Sequence, residues 1–296
     1  MSKFRIGIDL GGTKIEGVVL DEAGNQLVRK RIPTEREHGY QHILNRLKWM
    51  HDELAATVPG QGTTFGIGTP GAISPRTGLL KNSNTVCMNG RPVKADLEKL
   101  LGRGIEMQND ANCFALAEAL LGAGRGKSLV FGVIMGTGCG GGIVYKGEVI
   151  SGPQAIAGEW GHMSIDPQGP ACYCGHQGCV ETLISGGGLE RRYAARHGTP
   201  RPLKEIEADY LAGEARAVEF MREFFGHFGR ALANLIDILD PDVVVLGGGV
   251  SNFQALYTEG VEAVKRYAFT DALETPIVKH QLGDSAGVLG AALVGV

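Results

Sequence analysis

"FRIGIDLGGTK", residues 4–14, is an apolar, alternating stretch that stops abruptly at two glycines. Alternation of this kind predicts a β-strand. Glycines directly after a strand indicate a tight turn or a place where a ligand approaches the backbone closely. The next stretch, "KIEGVVLDEAGNQLVRKRIP" at residues 14–33, continues the pattern, so the chain is expected to open with two or three strands joined by tight turns.

A degenerate copy of this opening occurs at residues 128–150, "SLVFGVIMGTGCGGGIVYKGEVI". Gly12-Thr13 corresponds to Gly136-Thr137, because each pair follows an apolar strand and leads into a second strand. An internal repeat of this type indicates two related α/β lobes with a cleft between them. We expect an N-terminal lobe over residues 1–120 and a C-terminal lobe over 121–284, with residues 285–296 crossing back to the first lobe.

Further elements follow from apolar periodicity and from glycine or proline stops. A strand at "TTFGIGTP" is expected to end in a glycine loop, and "DVVVLGGG" is expected to be a buried strand. The C-terminal "SAGVLGAALVGV" has the composition of a closely packed, small-residue helix. The other predicted helices are Tyr40 to Ala56, Ala111 to Leu121 and an amphipathic helix over Ala217 to Leu239.

Composition narrows the class of partner. The net charge of −3 gives no electrostatic reason to expect nucleic acid or an anionic membrane. Residues 128–145 carry no charge, but six glycines interrupt them, so a strand–turn–strand is expected there rather than a membrane span. The N-terminus has no signal-peptide pattern, and the expected location is the cytoplasm, where disulfides are rare.

Three of the six cysteines lie together in "CYCGHQGC", residues 172–179, and His162 lies ten residues upstream of the first. His162, Cys172, Cys174 and Cys179 offer one imidazole and three thiolates, a complete tetrahedral zinc set. The spacing differs from that of zinc fingers, and a disulfide between neighbouring loop cysteines would be strained. Because four protein ligands leave no open position, the predicted Zn²⁺ is structural.

Three glycine-rich loops follow apolar strands and together fit the phosphates of one nucleotide held between two lobes. The first, "DLGGTK", lacks the Walker A pattern, and taken alone it fits a hairpin turn as well. Asp9 is expected to organise Mg²⁺ through water, whereas Lys14 fits either a phosphate contact or an exposed position. Adenine is expected near residues 247–249. The residues predicted to bind nucleotide are Asp9, Gly11, Gly12, Thr13, Lys14, Gly136, Thr137, Gly138, Gly248 and Gly249.

The set of motifs "IDLGGTK", "GIGTPG", "NDAN", "MGTGCGGG", "EWGH", "CYCGHQGCVE" and "LGGGVS" resembles the ROK family of bacterial sugar kinases. The resemblance runs from residue 4 to the C-terminus. It implies a two-lobed ribonuclease H-like ATPase fold, as in actin and hexokinases, and an ATP- and Mg²⁺-dependent hexose kinase. The first strand begins within five residues of the start, which disfavours the subclass of ROK repressors with a preceding helix-turn-helix domain.

Several site residues are implied by the resemblance. Asp110 corresponds to the catalytic base, although taken alone it fits a helix N-cap. His162 can bind metal through one ring nitrogen and sugar through the other. The residues implied to contact sugar are Gly71, Asn84, Asn109, Asp110, Glu159, His162 and Glu181.

The acceptor sugar is not decided by these motifs. "NSNTVCMNGRP" and "GTGCGGG" favour the fructokinase and mannokinase branch, whereas the spacer "MSIDPQGPA" resembles the glucokinase branch. Fructose is the expected acceptor, with glucose, mannose and N-acetylhexosamines as alternatives. A sugar sensor without turnover and an actin- or chaperone-like ATPase are the rivals from other classes. Family resemblance also implies a homodimer.

Overall fold

The structure is a computed structural model that describes residues 4–294. These residues form twelve strands and nine α-helices. The strands are β1 Phe4–Leu10, β2 Lys14–Asp21, β3 Gln26–Pro33, β4 Thr63–Thr69, β5 Ala72–Ile73, β6 Leu80–Lys81, β7 Glu106–Asn109, β8 Leu129–Met135, β9 Cys139–Tyr145, β10 Glu148–Val149, β11 Val243–Gly247 and β12 Ile277–Lys279. The helices are α1 Tyr40–Ala55, α2 Val93–Leu101, α3 Asp110–Leu121, α4 Val180–Ile184, α5 Gly186–His197, α6 Leu203–Leu211, α7 Ala215–Leu239, α8 Glu259–Tyr267 and α9 Ala286–Leu293.

Two five-stranded sheets repeat one arrangement, in the orders β3-β2-β1-β4-β7 and β10-β9-β8-β11-β12. In the first sheet β1, β2 and β3 are antiparallel neighbours, and β4 and β7 run parallel to β1. In the second sheet β8, β11 and β12 run parallel. The repeat read from the two glycine-terminated strands is therefore present in the fold, and the uncharged stretch at 128–145 forms β8 and β9 as expected. Within residues 4–294, no helix has both the length and the apolarity of a transmembrane segment.

The chain divides into two compact units. Unit 1 runs to Gly126 and takes in Gly142–Ala157 and the chain from Leu282 onward, and unit 2 comprises Lys127–Gly141 and Gly158–Gln281. The segment at 142–157 was expected in the C-terminal lobe, so that boundary is corrected. The reason is close packing on α3: a Cβ at Gly142 would lie 2.9 Å from the Ala111 carbonyl oxygen.

Helix α9 packs closely against the sheet and against α3 in unit 1. A Cβ at Gly7 or Gly66, on β1 and β4, would overlap the α9 backbone at Ala292 or Ala291. A Cβ at Gly290 would overlap the backbone of Cys113 on α3. Glycine at these positions allows the helix to contact the sheet and α3 through backbone atoms. Residues 295–296 of the predicted C-terminal helix lie outside the described residues.

Helix α7 is the main apolar element of unit 2. Its predicted apolar stripe is buried and includes Phe220, Phe224 and Phe228, none of which is exposed to solvent. The same helix braces the segment that carries the site, because Arg230 Nη1 donates to the Ile165 carbonyl at 3.3 Å. The helical period in the sequence therefore predicted both the element and its buried face.

Candidate active site

The predicted site residues fall into two groups, one in each unit. Unit 1 holds Asp9, Gly11, Gly12, Thr13, Lys14, Gly71, Asn84, Asn109 and Asp110. Unit 2 holds Gly136, Thr137, Gly138, Glu159, His162, Cys172, Cys174, Cys179, Glu181, Gly248 and Gly249.

The first glycine loop is the turn that joins antiparallel β1 and β2, so the hairpin alternative describes its geometry. Gly11 N–H donates to the Lys14 carbonyl at 2.9 Å, and a Cβ at Gly11 would also lie 2.9 Å from that oxygen. Thr34, a buried residue that the sequence reasoning missed, fixes the turn from outside. Its hydroxyl donates to the Gly11 carbonyl at 2.7 Å, and its N–H donates to the Thr13 carbonyl at 2.9 Å.

Lys14 is engaged in an ion-pair cluster beside this turn. Its Nζ lies 3.8 Å from Oε2 of Glu16, a carboxylate that is only 2% exposed. Arg29 and Arg31 also donate to Glu16, at 2.6 Å each. A phosphate contact by Lys14 stays a prediction, because the structure gives its ammonium group a carboxylate partner.

Asp9, near the end of β1, has an unusual electrostatic environment. Burial, and next the carboxylates of Asp110 and Glu16, raise its pKa to about 7, against an opposing effect of Lys14. The positions that a Cβ would take at Gly68 and Gly287 lie 3.4 and 3.3 Å from this carboxylate. A carboxylate so destabilised as an anion favours a nearby cation, and oxygen donors suit Mg²⁺. The local chemistry therefore fits the predicted magnesium role.

Asp110 is the first residue of α3, and Asn109, not Asp110, is the N-cap. The Asn109 side-chain oxygen accepts from the N–H groups of Ala111 at 2.9 Å and Asn112 at 3.3 Å. The Asp110 carboxylate accepts from the Ala111 N–H at 2.8 Å. The interpretation of Asp110 as the N-cap is therefore wrong, because the side-chain amide of Asn109 caps the helix. A carboxylate in the first turn also lies at the positive end of the helix dipole.

The same Asn109 connects α3 to the loop after β4. Its Nδ2 donates to the Gly71 carbonyl at 3.1 Å. Gly71 has a φ of +80°, and a Cβ there would overlap the Lys81 carbonyl, so only glycine fits. Asn84 lies three residues after Lys81, and its Oδ1 is 3.8 Å from the position that a Cβ would take at Gly12. Unit 1 thus places residues predicted for sugar and for phosphate beside each other.

In unit 2 the second glycine loop is a tight turn at the end of β8. Gly136 N–H donates to the Gly138 carbonyl at 2.9 Å. The predicted sugar ligand Glu181 lies against this turn, because its Oε2 accepts from the Cys139 N–H at 2.9 Å. A Cβ at Gly138 would lie 2.6 Å from the same carboxylate oxygen, so a side chain there would displace the Glu181 carboxylate.

The third glycine loop packs on the second. Gly248 has a φ of +79°, and a Cβ there would overlap the Met135 carbonyl, whereas Gly249 has open space around it. The sequence reasoning missed a further element here, the start of α5 at Gly186-Gly187. Gly186 N–H donates to the Gly136 carbonyl at 2.8 Å, and a Cβ at Gly187 would lie 2.6 Å from the Thr137 carbonyl. The run "SGGG" at residues 185–188 was the available signal.

The four predicted metal ligands converge within unit 2. The ligand atoms of His162, Cys172, Cys174 and Cys179 all lie within 4.8 Å of one another. Cys174 Sγ is 3.6 Å from Cys179 Sγ, and Cys172 Sγ is 3.6 Å from Nδ1 of His162. Tetrahedral zinc–thiolate bonds of about 2.3 Å place sulfurs about 3.8 Å apart, so the observed separations fit zinc.

The other ring nitrogen of His162 has a partner that the sequence did not reveal. Nε2 lies 3.1 Å from the hydroxyl of Tyr173, a side chain that is 79% exposed. Desolvation of the Tyr173 hydroxyl beside His162, and next the negative charge of Glu181, raise the pKa of Tyr173 to about 12. The structure therefore groups Tyr173 with the predicted sugar ligands. Trp160 packs edge-on against Phe131 and donates to the Gly140 carbonyl at 3.0 Å, so it supports this part of the sheet.

Comparison with known proteins gives consistent results. The sequence profile of the ROK family matches residues 5–295. An N-acetyl-D-glucosamine kinase of Yersinia pseudotuberculosis is 40% identical over 299 residues, covering 97% of each chain. A ROK hexokinase of Thermus thermophilus superposes with a TM-score of 0.89 at 36% identity, covering 98% of this chain and 97% of the other. A ROK glucokinase of Streptomyces griseus, solved with glucose and AMPPNP, gives a TM-score of 0.79 at 29% identity, covering 98% of each chain.

The class defined by fold and site is the two-lobed α/β fold of sugar kinases. The chain belongs to the ROK family. The expected fold class and the recognition of a ROK sugar kinase are confirmed. The expectation of fructose as acceptor is not supported, because the curated relative named above is an N-acetyl-D-glucosamine kinase, one of the alternatives.

Proposed function

We propose that this chain transfers the γ-phosphate of ATP to a hydroxyl of N-acetylglucosamine, with Asp110 as general base. The observation that carries the proposal is the position of Asp110, at the start of α3 beside the Asn109–Gly71 contact and close enough to Asp9 to raise its pKa. Similarity to N-acetyl-D-glucosamine kinases over 97% of both chains supports the choice of acceptor.

The residues of unit 1 supply the proton acceptor. Asp110 accepts the proton of the attacking sugar hydroxyl while the oxygen of that hydroxyl forms a bond to the γ-phosphorus. The Asn109 cap fixes the start of α3 and, through Gly71, the loop after β4, which orients the carboxylate relative to the sugar. Asn84 contacts a sugar hydroxyl in this proposal.

The glycine loops bind the nucleotide. The N–H groups of Gly11 and Gly136 close their own turns, so the backbone N–H groups of Gly12-Thr13 and Thr137-Gly138 face phosphate oxygens, and the adenosine lies at Gly248-Gly249. Asp9 would hold Mg²⁺ through water, and the ion would supply positive charge that neutralises the phosphates.

The cysteine segment positions the sugar-binding side chains. Zn²⁺ bound by His162 and the three cysteines would fix the segment as a closed structural site. Glu159, Glu181 and Nε2 of His162 then form hydrogen bonds with the sugar hydroxyls. The Tyr173 hydroxyl leaves Nε2 of His162 when the sugar binds. Buried polar groups that expect hydroxyl partners discriminate strongly between sugars.

Two alternatives remain distinct from this proposal. A sugar sensor would bind N-acetylglucosamine without hydrolysing ATP. A sugar-independent ATPase would hydrolyse ATP in the absence of any sugar. The homodimer and the cytoplasmic location stay predictions.

The test compares ADP formation by the wild type and by Asp110→Asn with MgATP and N-acetylglucosamine. Loss of the base is expected to reduce kcat by at least about 10²- to 10⁴-fold. Sugar affinity, measured by calorimetry, should stay within about tenfold, because a substitution of the base removes mainly an interaction of the transition state. Asp271→Asn, at an exposed loop position, is the matched control and should retain the wild-type rate.

Wild-type turnover that survives in Asp110→Asn would remove Asp110 as the base. Sugar binding without any wild-type ADP formation would favour the sensor, and ADP formation without sugar would favour the ATPase.

A further inference from the structure

A short turn after β3 lies directly beside the first glycine loop. The turn spans Arg36–His38 and follows Thr34, the residue that is hydrogen-bonded to both ends of that loop. Arg36 Nη1 lies 3.5 Å from the position that a Cβ would take at Gly12. The guanidinium group therefore lies against the loop that is proposed to bind phosphate.

The backbone of this turn is strained, and its strain is held by side chains of α1. Glu35 has φ 53° and ψ 48°, in the left-handed region that residues other than glycine rarely adopt. Its Oε2 accepts from Arg46 Nη1 at 2.9 Å and lies 2.8 Å from His42 Nε2. Arg46 Nε also donates to the Pro33 carbonyl at 2.7 Å. Strain that a set of specific contacts maintains is typical of functional positions.

A metal site is the other interpretation of this cluster, because donor atoms of Glu35, His38 and His42 lie within 4.8 Å of one another. However, the Glu35 oxygen that faces His42 already accepts from the cationic Arg46. A fixed positive charge at a ligand oxygen disfavours a second cation there. The cluster is therefore better explained as a brace that sets the direction of the next residue, Arg36.

The Arg36 side chain is exposed, and within residues 4–294 the structure gives its guanidinium no hydrogen bond or ion pair. The other atoms near the Gly12 position are neutral acceptors or hydroxyls: Asn84 Oδ1 at 3.8 Å and Thr85 Oγ1 at 3.9 Å. None of these nearest atoms is a carboxylate oxygen. Arginine presents a planar fork of donors that matches phosphate oxygens.

We propose that Arg36 is a catalytic residue that binds oxygens of the γ-phosphoryl group during its transfer. The proposal rests on the proposed function and adds to it a residue that none of the sequence motifs indicated. The position follows from its neighbours: Gly12 belongs to the phosphate turn, whereas Asn84 is proposed to contact the acceptor sugar, and the transferred group passes between phosphate and sugar.

The transfer itself involves no covalent bond to Arg36. The acceptor oxygen forms its bond to the γ-phosphorus, and the bond from that phosphorus to the β–γ bridging oxygen breaks. The hydroxyl proton goes to Asp110, and ADP leaves with the electron pair of the broken bond. Arg36 stabilises the charge on the three phosphoryl oxygens, where positioned cations have large effects on rate.

The test measures kcat and both KM values for Arg36→Met, Arg36→Lys and the control Arg76→Met, which changes another exposed arginine of unit 1. Arg36→Met should lower kcat by about 100- to 1000-fold, with KM for sugar and for MgATP within about threefold. Arg36→Lys should recover part of the loss, because it keeps the charge and loses the fork. Binding of ADP with aluminium fluoride and sugar, which imitates the transferred group, should weaken in parallel with kcat.

The outcomes separate this role from the proposed function. A wild type without sugar-dependent ADP formation would overturn both. An active wild type with Arg36→Met within threefold in kcat would overturn the role of Arg36 alone, as would a change confined to the sugar KM or unchanged binding of the ADP–aluminium fluoride complex. Equal melting temperatures of wild type and Arg36→Met confirm that folding is not the cause.

Discussion

Helix α9 of unit 1 and the cysteine segment at residues 160–179 of unit 2 both support candidate site residues, but they are held in different ways. Helix α9 contacts strands and α3 through backbone atoms, at positions where only glycine fits, such as Gly66 and Gly290. The cysteine segment is held by local hydrogen bonds and by four side chains that suit a metal, and its Tyr173 is mostly exposed.

The two regions are therefore expected to differ in how strongly they depend on solution conditions. The start of α3, which carries Asp110, is fixed by close packing that no ligand or metal has to complete. The side chains proposed to bind sugar, near His162 and Glu181, lie on a segment that the proposed metal would have to complete. Substitutions around helix α9 should therefore destabilise the fold by steric overlap, whereas substitutions in the cysteine segment should act by removing a metal ligand.

The largest effect is expected from Gly290→Ala. The added methyl group overlaps the backbone of Cys113, which cannot move without displacing α3, so unfolding free energy should fall by about 3 kcal/mol or more. Urea unfolding monitored by circular dichroism measures this loss. Gly104→Ala is the matched control, because it has open space and no positive φ, and it should change stability by less than about 1 kcal/mol. Equal stability of the two variants would show that α9 is not held by backbone contact.

A smaller, local effect is expected from Cys174→Ser. Loss of one thiolate should abolish stoichiometric zinc in the purified protein and raise the KM for sugar by roughly 10- to 100-fold, as for perturbed metal sites. The KM for MgATP and the main unfolding transition should change little, because the packed cores remain. Cys87→Ser changes an exposed cysteine outside the cluster and should leave both zinc and KM unchanged.

Elemental analysis and steady-state kinetics measure these quantities. Full zinc content in Cys174→Ser would show that the cluster is not the metal site. Loss of zinc with an unchanged sugar KM would separate the metal from recognition.

The smallest effect concerns the charge of Asp9. Its pKa is raised to about 7 in the folded, metal-free protein, so the folded state binds the proton more tightly than the unfolded state. Its contribution to stability is therefore present below the unfolded pKa of about 4 and is lost as pH rises through about 7. Asp9→Asn stays neutral, so its melting temperature relative to wild type should increase between pH 5 and pH 8 without Mg²⁺. A difference that is independent of pH would contradict the raised pKa.

Much of the fold could be predicted because local pattern and global structure agree. The strands before the glycine turns, the helix beginning at Tyr40 and the amphipathic helix ending at Leu239 all carry a clear period of 2 or 3.6. The segment at 142–157 was misassigned because its place depends on contact with α3, and no local period encodes such a contact.

The site was predictable where residue types are scarce and their spacing is specific. The cysteine motif predicted four converging ligand atoms because few structures other than a metal site require them together. Asn109 was not recognised as the cap because two adjacent polar residues both fit that position. Thr34 and Arg36 lie in ordinary-looking stretches, and Tyr173 lies between two cysteines that drew the attention. Only the folded chain shows Thr34 and Arg36 beside the first glycine turn and Tyr173 against His162.

The most direct test of the account is kcat/KM with MgATP for N-acetylglucosamine, glucose, mannose and fructose, measured through ADP formation. The account predicts that N-acetylglucosamine is preferred by at least about tenfold, the order of discrimination that pocket contacts provide. Preference for fructose, or ADP formation that no sugar stimulates, would contradict it.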